Sequence, residues 1–220
     1  GEEALESRAD RRILERLGGS RVGRFVQRNK IKTIIALLFL FFIAAILPLP
    51  FGEIDNLRFA NPGSTAFMKE HEEAARGKGR SFHKSQTWIS LNRIPQHAID
   101  AIVVAEDGTF WSHSGFDWFE FRESVGRNLK EGRMARGAST ITQQLVKNLF
   151  LSPSKNPFRK IREWILTWYV ERTLNKSRIL EIYLNVIEWG NGIYGIEAAA
   201  RHYFFKPAQD LTQSDATKLA

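Results

Sequence analysis

The chain has 220 residues, a formal net charge of +8 and no cysteine. This length accommodates one domain or two small ones, and the absence of cysteine excludes disulfides, zinc-finger sites and thiol nucleophiles. The positive charge suggests an anionic partner, such as nucleic acid, acidic lipid or a phosphorylated substrate.

A long uncharged run follows a charged N-terminal segment. We predict a short cytoplasmic helix within residues 1–30. The run Ile34–Phe51, "IIALLFLFFIAAILPLPF", then holds 18 residues without a charge. A helix needs about 20 apolar residues to cross a bilayer, and about 17 is the lower limit. We therefore predict a retained transmembrane anchor over residues 31–50. A cleaved signal peptide is the alternative, but 30 residues precede the run and no clean A-x-A cleavage site follows it.

Basic residues flank the predicted anchor unequally. Residues 1–30 contain eight Lys and Arg, and residues 51–70 contain two. Loops rich in Lys and Arg stay in the cytoplasm, so the N-terminus is predicted to be cytoplasmic and the rest of the chain to lie outside. Nucleic acid is then excluded as a partner, and an anionic, lipid-linked substrate is favoured.

Residues 51–94 are predicted to be a linker and the start of a domain, with one short strand at "QTWISL", Gln86–Leu91. A first helix is predicted over Pro95–Ala105. Its apolar positions share one face, and Glu106 follows on that face, just past the predicted helix end. Burial raises the pKa of a carboxylate, and a carboxylate tuned in this way can take a proton near neutral pH. The alternative is a helix end with solvated acids.

The second predicted helix begins within "GASTITQQLVKN", Gly137–Asn148. Thr140 and Gln143 fit a capping box. The buried stripe is predicted to be Ile141, Leu145 and Leu149, with Gln143, Gln144 and Lys147 on the other side. A turn rich in glycine and hydroxyls at a helix N-terminus suits an anion. An ordinary capped amphipathic helix is the alternative.

The third predicted helix is "RKIREWILTWYVERTL", Arg159–Leu174. Apolar residues cover most of its circumference, which predicts burial nearly all round. One polar stripe remains, formed by Arg159, Glu163, Thr167 and Glu171. A charged stripe on a buried helix must face a partner or a cleft, because unpaired buried charge is costly. An internal ion pair is the alternative.

A fourth segment runs from Lys176 to Phe204, "KSRILEIYLNVIEWGNGIYGIEAAARHYF". Ser177 is a candidate N-cap. Three glycines, Gly190, Gly192 and Gly195, then interrupt the pattern before a helix of small residues. Helix packing alone accounts for this segment, so no chemistry is assigned to it.

Four segments in this order resemble the motifs of the peptidoglycan glycosyltransferases, glycosyltransferase family 51. They are "EDGTFWSHSG", "GASTITQQLVKN", "RKIREWILTWYVE" and "SRILEIYLNVIEWGNGIYGIEAAARHYF", and the resemblance covers about Pro95–Lys206. It implies a mainly α, lysozyme-like glycosyltransferase domain over residues 95–220 behind the transmembrane helix. The single anchor, with no transpeptidase domain, resembles the monofunctional biosynthetic members. The chain stops at "DATKLA", where members usually continue, so a truncated C-terminus is expected.

The resemblance also implies the chemistry. The substrates would be lipid II and the growing glycan strand. The 4-hydroxyl of lipid II would attack the strand's anomeric carbon with inversion, and undecaprenyl pyrophosphate would leave. Glu106 would be the general base, Glu163 would orient or stabilise the reacting groups, and three cations, Lys147, Arg159 and Lys160, would hold the pyrophosphate. We also assign seven polar residues to substrate binding: Asp107, His113, Ser139, Thr140, Gln143, Gln144 and Asn148.

No metal-ligand cluster is visible in the sequence. We predict that no cofactor is required, although a divalent cation, Mg²⁺ or Mn²⁺, could assist departure of the pyrophosphate. The chain is expected to be a single-pass protein of the inner membrane with a periplasmic catalytic domain. It could meet other cell-wall synthesis proteins there.

The segment Phe116–Ala138 sets four aromatic residues ahead of five basic ones. Aromatic rings and cations together suit a bilayer interface, and the resemblance implies a membrane-associated jaw here. The alternative is a solvated basic loop with its aromatics turned into the core.

Two other functions stay open. A lytic, muramidase-like enzyme would also use a glutamate in a helical fold, but its neutral leaving group would not need three cations. A catalytically inactive membrane scaffold would need neither Glu106 nor Glu163.

Overall fold

A computed structural model of the chain describes residues 29–46, 49–131, 139–151 and 158–220. The chain divides into two units, residues 1–49 and 50–220. Helix α1, Lys30–Ile46, belongs to the first unit. Among the described residues, no helix has both the length and the apolar character needed to cross a membrane. The anchor over residues 31–50 therefore stays a prediction, and the predicted cytoplasmic helix lies outside the described residues.

The second unit is mainly helical, which confirms the mainly α class of the predicted domain. Its helices within the described ranges are α2 Phe51–Asn56, α3 Ala66–Gly77, α4 Gln96–Asp107, α5 Trp118–Glu131, α6 Ile141–Phe150, α7 Phe158–Thr173, α8 Lys176–Val186, α9 Ile196–Phe204 and α10 Gln213–Leu219. Two 3₁₀ turns, Leu91–Arg93 and Ala208–Asp210, join them.

Helix α6 lies at the centre of this unit. It packs against α3, α7 and α8, while α4 packs mainly against α10. The predicted stripe of α6 is buried as expected: Ile141 and Leu145 are fully buried and Leu149 is 7% exposed. The predicted capping box is also present, because the Thr140 side chain accepts from the backbone N–H of Gln143 and the Gln143 side chain accepts from that of Thr140. Local sequence therefore determines where α6 begins. The predicted position of Gln143 on the opposite side is wrong, because Gln143 is 5% exposed and burial extends beyond the predicted stripe.

A small sheet covers one side of α9. Its strands β1 Ser85–Gln86, β2 Glu188–Gly190 and β3 Ile193–Tyr194 lie in the order β1-β3-β2, parallel between β1 and β3 and antiparallel between β2 and β3. The strand predicted over Gln86–Leu91 overlaps β1 only at Gln86. The Asn185 side chain explains the difference: its Oδ1 accepts from the Ile89 N–H, and its Nδ2 donates to the Ile89 carbonyl. The Asn185 side chain thus makes the backbone hydrogen bonds that a neighbouring strand would make with Ile89.

The predicted break before the helix of small residues is confirmed at Gly195. This residue has φ 83°, and a Cβ there would lie 2.6 Å from the Asn185 carbonyl oxygen, so both the backbone conformation and the space require glycine. The predicted N-cap of α8 is wrong by two residues. Asn175 caps the helix by accepting from the Arg178 N–H, and Ser177 lies inside it.

The prediction that α7 is buried nearly all round is wrong. Trp164 and Trp168 are 44% and 52% exposed, whereas Glu163 and Thr167 are 1% and 0% exposed. Helices α2, α6 and α8 pack against α7 and leave its aromatic face open. Residues all round a helix can be apolar without the helix being enclosed, and here the buried face combines Glu163 and Thr167 with Leu166 and Val170.

Candidate active site

A cleft of about 560 Å³ opens beside the C-terminal end of α4. Helices α6, α7 and α8 contribute most of its other polar side chains. The polar side chains that line the cleft on these four helices are Glu106, Gln144, Lys147, Asn148, Arg159 and Tyr183. Phe67, Glu188 and Trp189 also line it. The structure therefore brings together residues from all four motif segments that the sequence analysis separated.

Glu106 lies in the last turn of α4 and is exposed to the cleft. The sequence predicted a buried carboxylate just past a helix ending at Ala105; both points are wrong, because α4 continues to Asp107. The apolar face of α4 reaches the cleft at Ile102, which also lines it, so the next turn on that face meets open space. Glu106 is consequently accessible to a substrate rather than enclosed.

One hydrogen-bond chain holds the Glu106 carboxylate in place. Gln144 Nε2 donates to Glu106 Oε2 at 2.8 Å. The Tyr183 hydroxyl lies 3.0 Å from Gln144 Oε1 and donates to it. An exposed glutamate would otherwise sample several rotamers, so this chain restricts where its oxygens point.

Basic residues line the same cleft as this carboxylate. Lys147 on α6 and Arg159 on α7 line the cleft, and Lys160 follows Arg159. Burial lowers the pKa of Lys147 below its ordinary value; the nearby Lys160 and Arg159 charges lower it further, while Glu163 and Glu106 act in the opposite direction. The Lys147 ammonium is thus partly stripped of water. A bound anion would stabilise its charge.

Glu163 is nearly fully buried one turn along α7 from Arg159. Its Oε1 accepts from Lys160 Nζ at 2.5 Å. This is the internal ion pair that the sequence analysis kept as an alternative, and the Lys160 end of the pair is half exposed. The pair leaves Glu163 beside the cleft cations but away from the cleft surface. Its role in orienting the reacting groups stays a prediction.

Four other predicted substrate ligands, Asp107, His113, Thr140 and Gln143, form a hydrogen-bonded group behind the cleft that we call the clip. Asp107 Oδ2 accepts from the Ile141 N–H at 2.9 Å. His113 Nδ1 accepts from the Gly115 N–H, so its proton is on Nε2, which donates to Asp107 at 3.0 Å. Thr140 Oγ1 donates to the Gly115 carbonyl at 2.7 Å.

The clip occupies the helix N-terminus that the sequence analysis assigned to an anion. The anion found there is the chain's own Asp107 carboxylate, which is favourable near the positive end of the α6 dipole. Glycine is required at Gly115, which has φ 89° and would place a Cβ 2.9 Å from the side chains of Thr167 and Glu171. The role of the clip residues in substrate binding stays a prediction. Ser139 is half-buried beside them, and its carbonyl lies 3.5 Å from Gln144 Nε2.

Sequence reasoning missed Tyr183, which is 1% exposed beneath the cleft. Its segment was assigned to packing because its neighbours are apolar. One signal was available: a tyrosine within a buried apolar stripe must find a partner for its hydroxyl. The identity of that partner, 39 residues away on α6, could not be inferred from spacing.

Comparison with known proteins gives consistent matches. The model of a family described as "Transglycosylase" matches residues 73–220. A protein of Nitrosospira multiformis named biosynthetic peptidoglycan transglycosylase is 45% identical over 186 residues, which are 83% of this chain and 81% of that protein. Proteins with the same name from Methylobacillus flagellatus and an Azoarcus species are 46% and 45% identical, over 73% and 77% of this chain and 70% and 74% of theirs.

Proposed function

The chain belongs to the transglycosylase family, and from this premise we propose how its cleft polymerises glycan. It is a peptidoglycan transglycosylase, as its relatives are named. We propose that its substrates are lipid II and the growing lipid-linked strand. The observation that carries this proposal is the cleft itself, which an accessible, hydrogen-bonded Glu106 lines together with Lys147 and Arg159.

The proposed step assigns each side chain one task. The Glu106 carboxylate takes the proton of the lipid II 4-hydroxyl, and that oxygen attacks the anomeric carbon of the growing strand. The bond from this carbon to the pyrophosphate oxygen breaks, and its electron pair leaves with the undecaprenyl pyrophosphate. Attack from the face opposite the leaving group inverts the α linkage to β.

The cations stabilise charge that grows on the leaving group. A unit charge about 4 Å from another is worth about 4 kcal/mol at an effective dielectric near 20. Lys147 and Arg159 are preorganised on two helices, and such donors act where charge develops in the transition state. This arrangement favours a pyrophosphate over the neutral sugar that a lytic enzyme would release.

A polymerisation assay with fluorescent lipid II tests the proposal. We expect the full chain to make glycan, and Glu106→Gln to make almost none. Degradation of preformed glycan without synthesis would instead identify a lytic enzyme. A chain that neither makes nor degrades glycan would instead be a catalytically inactive scaffold.

We further propose that the enzyme is held at the inner membrane by the predicted anchor over residues 31–50 and that its periplasmic domain contacts the bilayer. Six exposed side chains on α5 and α7, which we call the aromatic surface, support the contact: Trp118, Phe119, Phe121, Ile161, Trp164 and Trp168. Phe116 joins the two helices, with its ring 5.8 Å from Trp118 and 6.5 Å from Trp164. The alternative with these aromatics in the core is wrong for Trp118, Phe119 and Phe121. Exposed aromatic patches of this kind mark membrane or protein contacts.

The absence of cysteine permits a direct test of membrane contact. A polarity-sensitive fluorophore is attached to Phe119→Cys in the full chain, and to Phe205→Cys, another exposed aromatic position, as the control. Anionic liposomes should shift the emission of the first label to the blue and leave the second unchanged. Equal responses of the two labels would contradict contact through the aromatic surface.

A further inference from the structure

Tyr183 is linked to the reacting carboxylate through one intermediate side chain. Its hydroxyl contacts Gln144 Oε1 at 3.0 Å, and Gln144 Nε2 contacts Glu106 Oε2 at 2.8 Å. These residues lie on α8, α6 and α4. The chain runs from a fully buried side chain to one exposed in the cleft.

Donor and acceptor chemistry allows only one arrangement of this chain when Glu106 is ionised. A carboxylate can only accept, so Gln144 must direct its NH₂ group at Glu106. The amide oxygen then faces Tyr183, whose hydroxyl must donate. Burial raises the pKa of Tyr183, and the negative charges of Glu106 and Asp107 raise it further, so the hydroxyl stays protonated. Rotating the amide by 180° would bring two acceptors together at Glu106, and the Tyr183 hydroxyl would have to change from donor to acceptor.

The backbone carbonyl of Gln144 also accepts a hydrogen bond from a side chain. Asn148 Nδ2 donates to the Gln144 carbonyl at 2.9 Å. The side chain of Gln144 is held at both ends of its amide, by Glu106 on the nitrogen and by Tyr183 on the oxygen. Glu106 is exposed, so the Gln144 bond is what limits its rotamers. A general base works only within hydrogen-bond reach of the proton that it removes.

We infer that Tyr183 is a positioning residue, which sets the orientation of Glu106 by fixing the amide of Gln144. This inference rests on the proposed role of Glu106 as the general base. Tyr183 does not touch the reacting atoms. Its effect should therefore appear in the chemical step and vanish when Gln144 is removed.

The first test compares two conservative tyrosine variants of the full chain with fluorescent lipid II. Tyr183→Phe keeps the ring and removes only the hydroxyl. We expect kcat to fall about tenfold, a part of the roughly 10²–10⁴-fold that a general base contributes, with KM unchanged within about twofold. Tyr169→Phe is the matched control, because the Tyr169 hydroxyl donates to Asp55 instead and neither residue lines the cleft. Its kcat should stay at the wild-type value. A wild-type kcat for Tyr183→Phe would overturn the inference.

The second test is a double-mutant cycle that a purely structural role would not satisfy. Tyr183→Phe is measured in the wild-type background and in a Gln144→Ala background. If Tyr183 acts through Gln144, the second measurement should show no further loss of kcat. An equal loss in both backgrounds would show that the hydroxyl acts by another route and would overturn the inference.

Glu106→Gln separates failure of this inference from failure of the proposed function. An active Glu106→Gln would contradict the general base itself, whatever Tyr183 does. An inactive Glu106→Gln together with a fully active Tyr183→Phe would contradict only the positioning role.

Discussion

The cleft and the clip behind it share two pairs of neighbouring residues. In each pair, one residue lies in the cleft and the other belongs to the clip. Glu106 is exposed in the cleft, whereas Asp107 is 8% exposed and accepts hydrogen bonds from His113 and the Ile141 N–H. Gln144 lines the cleft, whereas Gln143 is 5% exposed and completes a capping box. Chemically similar side chains, one residue apart, thus have different tasks.

Helix geometry explains why each of these motifs contains both a polar residue that lines the cleft and a polar residue that lies against the core. Adjacent residues of an α-helix point about 100° apart, so one can line a cleft while the next lies against the core. A polar group on the core side must be paired, because leaving it unpaired costs about 1–3 kcal/mol. A polar group on the cleft side can keep bonding capacity for a substrate. Variants of the two layers should therefore affect different quantities.

The largest effect is expected for Glu106→Gln. The amide cannot accept a proton, so glycan synthesis should fall by the roughly 10²–10⁴-fold that a general base supplies. The exposed position makes little contribution to folding, so the thermal midpoint should stay near that of the wild type. Polymerisation kinetics and circular dichroism melting measure the two quantities. A rate close to that of the wild type would remove Glu106 from the mechanism.

Lys147→Ala should have the next largest effect. Removing one preorganised charge-stabilising group typically costs about 10²-fold or more in rate, and we expect kcat/KM to fall by about that amount. Lys69→Ala, which changes an exposed lysine of α3, is the control and should retain full activity. If the two variants behave alike in lipid II turnover and binding, the pyrophosphate is held elsewhere.

Asp107→Asn should instead act on stability. The amide loses the negative charge at the α6 N-terminus and turns an NH₂ group toward a donor, either His113 Nε2–H or the Ile141 N–H. Hydrogen bonds to charged groups are worth about 1.5–3 kcal/mol, and we expect the free energy of unfolding to fall by that amount. Urea titration of the full chain measures it. Unchanged stability with lost lipid II binding would move Asp107 from the clip to the substrate site.

The lowered pKa of Lys147 predicts a pH dependence with a definite sign. The charged ammonium binds the anion, and burial lets it lose its proton at lower pH than an ordinary lysine. Activity should therefore decline on the alkaline side before the ordinary lysine value is reached. An arginine stays charged throughout this range, so Lys147→Arg should flatten the decline even if its absolute rate is lower. Parallel pH–rate profiles for the two proteins would argue against Lys147 as the titrating group.

The smallest effect is expected for Gln143→Ala. It removes the side chain that accepts from the Thr140 N–H at 3.0 Å. The free energy of unfolding should fall by about 1 kcal/mol, a typical net value for one hydrogen bond, with little change in rate. Gln144→Ala should show the opposite pattern. Equal rate losses for both variants would remove the distinction between cleft and clip.

Much of the fold could be predicted where the signal is local. The Thr140–Gln143 capping box and the buried stripe of α6 need only nearby residues, and both are confirmed. Helix α7 marks the limit. Its predicted bounds are shifted by one residue from Phe158–Thr173, yet the face with Trp164 and Trp168 is open where burial nearly all round was predicted. When apolar residues surround most of a helix, the hydrophobic periodicity does not indicate which face is buried. The helices that pack against α7 therefore determine which of its faces is covered.

The sequence by itself determined the helical class, the start of α6 and the four motif segments that identify the family. The tertiary structure alone decided that Glu106 is open, that Asp107 caps α6, and that Tyr183 reaches Glu106 through Gln144. The physical reason is distance along the chain. A capping box joins residues three apart, whereas the bonds from Gln144 to Glu106 and from Tyr183 to Gln144 join residues 38 and 39 apart. Such bonds form only after three helices have packed, and no local sequence pattern indicates which partner each side chain will meet.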